Sequence, residues 1–171
     1  MKITVKETVI FGMLGALMFV TKLIMEMAPN IHLLGVFIVA YTVVYRKKAL
    51  YPIYTYVFLD GIFKGFSMWW LPYLYIWTIL WGMVMLLPKK MPKIVKSIVY
   101  MLVSACHGFL FGTLYAPMQA ILFGMNFKAT IAWIIAGMPM DIIHGISNLL
   151  CGILIVPLIT VLQKLENENN Y

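Results

Sequence analysis

Charge is what this chain has least of. Only 11% of its 171 residues are Asp, Glu, Lys or Arg, against 63% that are hydrophobic. A soluble domain carries roughly a quarter charged and about half apolar residues, so an ordinary soluble globular domain is excluded. Acidic residues are scarcer still, six against thirteen basic ones. The formal charge of +7 does not point to nucleic acid. The lysines line no continuous polar face and stand at the ends of apolar blocks, where they orient membrane segments. Cysteine is limited to Cys106 and Cys151. Neither has zinc, redox or disulfide-framework spacing, and both are expected to pack as small apolar side chains.

The familiar chemical motifs are missing too. No Gly-rich loop ends in Lys-Ser or Lys-Thr, which excludes ATP binding in the P-loop manner. There is no His-Glu-x-x-His, no Gly-x-Ser-x-Gly elbow and no Cys/His zinc cluster. The expectation is a chain that binds and carries rather than reacts, without metal or cofactor. The opening "MKITVKETVIFGMLGALMFV" has a basic start, but Glu7 interrupts it and no small-x-small cleavage site follows. With Lys22 and Glu26 next, it reads as a retained first span rather than a signal peptide. No separate soluble domain or internal repeat is evident, and the closing "LENENNY" carries no motif.

What the chain has in abundance is apolar length. Blocks between basic or proline-containing breaks cover about 8–27, 31–45, 49–66, 69–88, 97–117 and 139–163. A hydrocarbon core needs roughly 18–20 such residues per helix. The second block is short for a crossing, and the charge pattern decides in its favour. With six spans and both ends inside, the inner side receives Lys2, Lys6, Arg46, Lys47, Lys48, Lys89, Lys90, Lys93, Lys96 and Lys164. The outer side keeps Lys22, Lys64 and Lys128, as the positive-inside rule asks. The fold class expected is therefore an all-α membrane protein. It is a single integral domain over 1–171, a six-transmembrane-helix bundle with N and C termini cytoplasmic. The apolar stretch 118–138 either forms an interfacial or partly inserted outer segment or extends the neighbouring spans. Pro139 suits the first turn of a helix, and Asp141 in that same turn would meet the positive end of the helix dipole.

Within this apolar background "MDIIHGISN" places Asp141, His144 and Asn148 at spacings of three and four, on one helix face. Polar groups at membrane depth face inward and find partners. The stripe either glues helices together or lines a ligand pocket. "SMWWLPYLYIWTILW" opens the fourth span at the same outer end. Trp69 and Trp70 fit an interfacial belt. Tyr73 and Trp77, at i and i+4, are deeper and better placed for a flat heterocycle. Asn30 and His32, in the first outer loop, either cover such a pocket or form a solvated turn. Tyr115 and Gln119 lie within reach of the same place. His107 reads as a satisfied core histidine. The pairs Lys22–Glu26 and Asp60–Lys64, each at i,i+4, read as mutual ion pairs or snorkelling side chains.

Two patterns in the chain resemble a known family. The first is "FGMLGALMFV", where Gly12 and Ala16 make a small-xxx-small pair. The second is "MPMDIIHGISNLLCGILIVPL", with its proline, Asp-x-x-His-x-x-x-Asn run and terminal Pro-Leu. Together with size and span count, they resemble the substrate-binding membrane subunit, or S component, of energy-coupling factor (ECF) transporters. The resemblance covers nearly the whole chain in architecture but only these two segments in sequence. It implies a vitamin or related micronutrient as small-molecule substrate, held in an outward pocket. Here that pocket would be built from Asn30, His32, Tyr73, Trp77, Tyr115, Asp141, His144 and Asn148. It also implies a transmembrane coupling subunit docked on Gly12 and Ala16, two cytoplasmic ATPases, and a multi-pass location in the bacterial plasma membrane amid lipid. In the family an alanine stands where Gly12 does. Metal-specific relatives carry histidine after the initiator methionine, and Lys2 in that place argues against nickel or cobalt. Two other readings stay open: a small intramembrane enzyme using Asp141 and His144 as an acid–base pair, and a structural membrane protein whose polar residues are packing contacts.

Overall fold

The computed structural model describes residues 3–28 and 30–168. Lys2 therefore lies outside the described residues. Those residues form eight α-helices and no strand: α1 (Val5–Ile24), α2 (Leu34–Tyr45), α3 (Leu50–Lys64), α4 (Tyr73–Met85), α5 (Lys93–Phe109), α6 (Phe111–Phe123), α7 (Phe127–Cys151) and α8 (Ile155–Glu168). Short 3₁₀ turns sit at Met25–Met27, Arg46–Ala49 and Gly152–Leu154.

Three continuous helical arms are long and apolar enough to cross a membrane: Val5–Met27, Lys93–Phe123 and Phe127–Asn167. Six full-length spans are not what the chain forms. The second to fourth apolar blocks yield helices of 12, 15 and 13 residues, about 18–22 Å at 1.5 Å per residue against a core of about 30 Å. Local backbone chemistry stops them short. Arg46 adopts φ 54°, ψ −120° after α2, and Gly65 takes φ 88° after α3. Both conformations leave the helix.

The stretch 118–138 extends its neighbours. Gly124 ends α6 in the left-handed region at φ 61°, a conformation that costs glycine nothing. Two residues later the side chain of Asn126 caps α7 by accepting from the Ala129 amide at 2.9 Å, the usual asparagine role at a helix start. α7 consequently begins at Phe127, and Pro139 stands inside it rather than in its first turn. The expected match between Asp141 and the dipole of its own helix fails for the same reason.

The charges sort to two ends. Thr4, Lys6 and Glu7 share a recess with Tyr45, Lys48 and Glu166, which brings the start of α1 and the end of α8 together. Lys48 bonds Glu7. At another locus Lys64 bonds Glu26 and lies 2.8 Å from the buried Asp60. Lys22 approaches Glu26 at 3.7 Å. The predicted i,i+4 pairs thus join into one network tying α1 to α3.

α2 is the central helix, with Leu34 to Thr42 all buried, as a helix apolar all round must be. Outward faces stay apolar. Val5, Val9, Met13 and Ile24 on α1, and Ile135, Ile142, Ile146 and Leu150 on α7, are exposed, a surface suited to lipid rather than water. α5 and α7 approach so closely that a Cβ on Gly108 would lie 2.9 Å from the Gly145 Cα. Small residues are what permit helices to pack this way in a membrane.

Candidate functional site

His32, in the segment before α2, meets His144 of α7 edge to face, with ring centroids 4.7 Å apart. Phe111, opening α6, packs on the other side of His144 at 4.9 Å. Trp77 of α4 completes the group, at 6.5 Å from His32, 5.4 Å from Tyr73, 5.8 Å from His107 and 5.7 Å from Phe111. Tyr56 of α3 also meets Trp77, at 6.2 Å, so six parts of the chain converge: the first loop, α3, α4, α5, α6 and α7. The spacing explains the convergence. Tyr73 and Trp77 share one face of α4, and His144 points inward on the polar face of α7.

The group is closed. His144 and Trp77 are each 2% exposed and His32 is 6% exposed. The rings touch one another rather than framing an open recess, which departs from the outward pocket expected. A nearby groove is lined by Ile31, Ile143, Ile146, Ser147, Leu150 and Cys151, and a larger one runs along α3 past Tyr51, Tyr54, Phe58 and Ile62. Neither is lined by the three central rings.

Hydrogen bonding divides the polar stripe of α7. Both Asp141 carboxylate oxygens accept from the Gly112 amide, at 3.0 and 3.1 Å. Gly112 stands in the first turn of α6, so the carboxylate does sit at a positive helix end, that of α6. Its role is that of a cap supplied from a neighbouring helix. Asn148 donates from Nδ2 to the Ser104 carbonyl at 3.1 Å. Between them His144 has no hydrogen-bond partner at either ring nitrogen. The acid–base pair of Asp141 and His144 is consequently not formed by a hydrogen bond.

His144 is one of several such groups. Trp77 Nε1, His32 Nδ1, His107 Nδ1, Tyr56 Oη and the hydroxyls of Ser104 and Ser147 are also buried and unpartnered. Each costs about 1–3 kcal/mol if left so, and native interiors hold few. The unpartnered atoms of His32, His107, His144, Tyr56 and Trp77 belong to one group of packed rings, whereas Ser147 lies in the groove beside Ile31. The rings present hydrogen-bonding groups without a fixed charge, because the one carboxylate on the stripe is engaged by Gly112.

The remaining expectations fall outside this centre. Asn30 donates to the Met140 sulfur at 3.4 Å, which fastens the first loop to α7 at the rim. Tyr115 spends its hydroxyl on the Trp69 carbonyl at 2.6 Å and stacks on Trp133, with Phe111 between it and His144. It supports the site without facing it. His107 is only half the satisfied core residue expected. Its Nε2 meets the Ile76 carbonyl at 3.1 Å and its Nδ1 meets nothing. Phe111, Tyr56 and Ser147 were not foreseen. Two carried a signal: Phe111 lies four residues after His107, and Ser147 three after His144.

On α1 the inward face is Phe11, Gly15 and Met18, and Gly15 packs against Thr55 and Pro52 of α3. Gly12 and Ala16 are part-exposed beside that face, and a Cβ on Gly12 would meet nothing within 4 Å. Among the described residues no group of three or more His, Cys, Asp or Glu is arranged to hold a metal ion.

Compared with models of known protein families, with curated proteins and with solved structures, the chain matches none.

Proposed function

We propose that this protein is the substrate-specific membrane subunit of an ECF-type importer. It captures a vitamin or related small molecule from outside and passes it inward with a transmembrane coupling subunit and two cytoplasmic ATPases. The observation that carries the proposal is the closed group of His32, Trp77 and His144. Its unpartnered nitrogens are what the polar edges of a flat, neutral guest would satisfy. His32 belongs to a connecting segment, so displacing that segment opens the group while α4 and α7 stay in place. The supporting observation is the free small-residue face at Gly12 and Ala16, a surface ready for close helix contact.

In this reading the chain is a multi-pass protein of the bacterial plasma membrane. The end that gathers the start of α1, the end of α8, Arg46 to Lys48 and Lys89 to Lys96 faces the cytoplasm. Two ends on one side require an even number of traverses. Beside the three long arms, α2, α3 and α4 then act as three shortened passes, six in all.

The test uses Ala16→Phe and native mass spectrometry. The wild-type chain should retain a small molecule on purification and bring down a large membrane subunit and two ATPases. Ala16→Phe should keep the small molecule and lose the partners. A chain that retains no guest and captures no ATPase defeats the proposal, and unchanged partner capture by Ala16→Phe removes the docking face.

A further inference from the structure

At the basic end, a recess of about 270 Å³ is lined by Val43, Arg46, Val84, Leu87, Lys89, Lys96, Tyr100 and Gln163, among others. No acidic residue lines it. Neither Lys89 nor Lys96 makes an ion pair among the described residues. Three cations therefore face one concavity without a counter-charge.

The backbone adds to the imbalance. α5 starts here, with Pro92 at its N-cap, no side-chain cap and no acidic residue in its first turn. Its first turn instead carries Lys93 and Lys96, although the positive end of a helix dipole favours anions. Arg46 is held in a conformation that non-glycine residues seldom adopt, φ 54° and ψ −120°, at a cost of about 1–3 kcal/mol. Two bonds hold it there: Trp81 Nε1 donates to the Arg46 carbonyl at 3.1 Å, and Arg46 Nη2 donates to the Met85 carbonyl at 3.3 Å. The second fixes the guanidinium at the edge of the recess and leaves its other donors free.

We infer that this recess binds the phosphate of an anionic phospholipid. The guanidinium and two ammonium groups supply the donors a phosphate takes. Free phosphate shares that chemistry, but position and walls favour the lipid. The recess lies at the start of the Lys93–Phe123 arm, where a crossing helix meets the headgroup layer. Val43, Val84 and Leu87 give it an apolar side on which glycerol and the first acyl carbons can lie. Basic pockets between membrane helices are suited to such headgroups. The inference is independent of what the chain transports.

The full-length chain in detergent is titrated with dioleoyl phosphatidylglycerol and, separately, with dioleoyl phosphatidylcholine. Bound lipid is read by native mass spectrometry, with and without millimolar inorganic phosphate. Phosphatidylglycerol should bind at least tenfold more tightly. Lys89→Gln with Lys96→Gln should weaken it by roughly fivefold per cation removed, whereas Lys128→Gln, in the first turn of α7, should leave it unchanged. Arg46→Gly guards against misfolding as an explanation. Glycine adopts this φ without strain, so its thermal midpoint should equal or exceed wild type while lipid affinity falls. Equal retention of the two lipids overturns the inference. So does wild-type binding by the double variant, or displacement of the lipid by inorganic phosphate at equal concentration, which would reassign the recess to a free anion.

Discussion

Replacing His144 by leucine should leave the protein about as stable as before or more so and, under the proposed function, abolish ligand binding, a combination that a structural histidine would not allow. The magnitude follows from what the ring touches. Two edge or tilted ring contacts, to His32 and Phe111, are worth about 0.5–1.5 kcal/mol each, so their loss costs about 1–3 kcal/mol. Against that, leucine removes two buried ring nitrogens without partners, and leaving a polar group unsatisfied costs about 1–3 kcal/mol. Two such groups make about 2–6 kcal/mol, so the net change runs from about 1 kcal/mol of destabilisation to about 5 kcal/mol of stabilisation. Asn148→Leu is the matched control, with the same number of side-chain heavy atoms. It loses the bond to the Ser104 carbonyl, which lies mid-helix in α5 and keeps its intrahelical donor, for a net cost of about 0.5–1.5 kcal/mol. Thermal unfolding of both variants in detergent micelles, alongside ligand retention by native mass spectrometry, separates them. A midpoint for His144→Leu lower than that for Asn148→Leu would falsify the reasoning, because the ring nitrogens would then be holding helices together.

Two further outcomes follow from the packing. Gly108→Ala should destabilise by about 1–3 kcal/mol, the usual cost of overpacking, because the new Cβ would meet Asn148 Nδ2 at 2.8 Å and Gly145 Cα at 2.9 Å. Gly12→Ala, with open space around it, should stabilise by up to about 1 kcal/mol through helix propensity. Unfolding midpoints of the pair read this directly, and equal shifts would contradict the close α5–α7 contact. Asp141→Leu should cost about 1–3 kcal/mol by stranding the Gly112 amide, whereas Asp141→Asn, which keeps one acceptor, should cost less. Equal losses in the two variants would mean that the amide bond carries no weight.

Apolar composition was enough to recognise an all-helical membrane chain, and the lysine pattern brought Lys48 and Lys64 to separate groupings. Periodicity also placed Asp141, His144 and Asn148 on one face, all three buried. The second block was already short in the sequence and ends at Arg46-Lys47-Lys48, whereas the backbone was needed to show that α3 stops at Lys64 and that α4 covers only Tyr73–Met85. Pro139 misled because proline is common in a first turn yet tolerated inside membrane helices. The stronger start signal was Asn126 behind Gly124, a capping pair hidden in an apolar run. Tyr115 was expected within reach of the pocket, and its hydroxyl is bonded to the Trp69 carbonyl. No local pattern says that its hydroxyl is spent on Trp69, 46 residues away.

The stripe of α7 sets two bonded polar residues on either side of one ring that has no hydrogen bond. Asp141 and Asn148 flank His144 by three and four residues and are each pinned to backbone groups of the α5–α6 arm. Backbone partners fix the position of α7 more firmly than mobile side chains would, and the ring between the pins inherits that position without a bond of its own. Trp77 is held in the same indirect way by its packing against Tyr73, His107 and Phe111. The third ring, His32, comes from the segment before α2. Its loop is tied at one side by Glu26 to Lys64 and at the other by the weak Asn30–Met140 contact, both at exposed positions. Exposed ion pairs are worth about 0–1 kcal/mol, so His32 is held chiefly by its own buried ring against His144 and Trp77. In the proposed function, affinity for a guest would draw on the rings that this packing already holds in place.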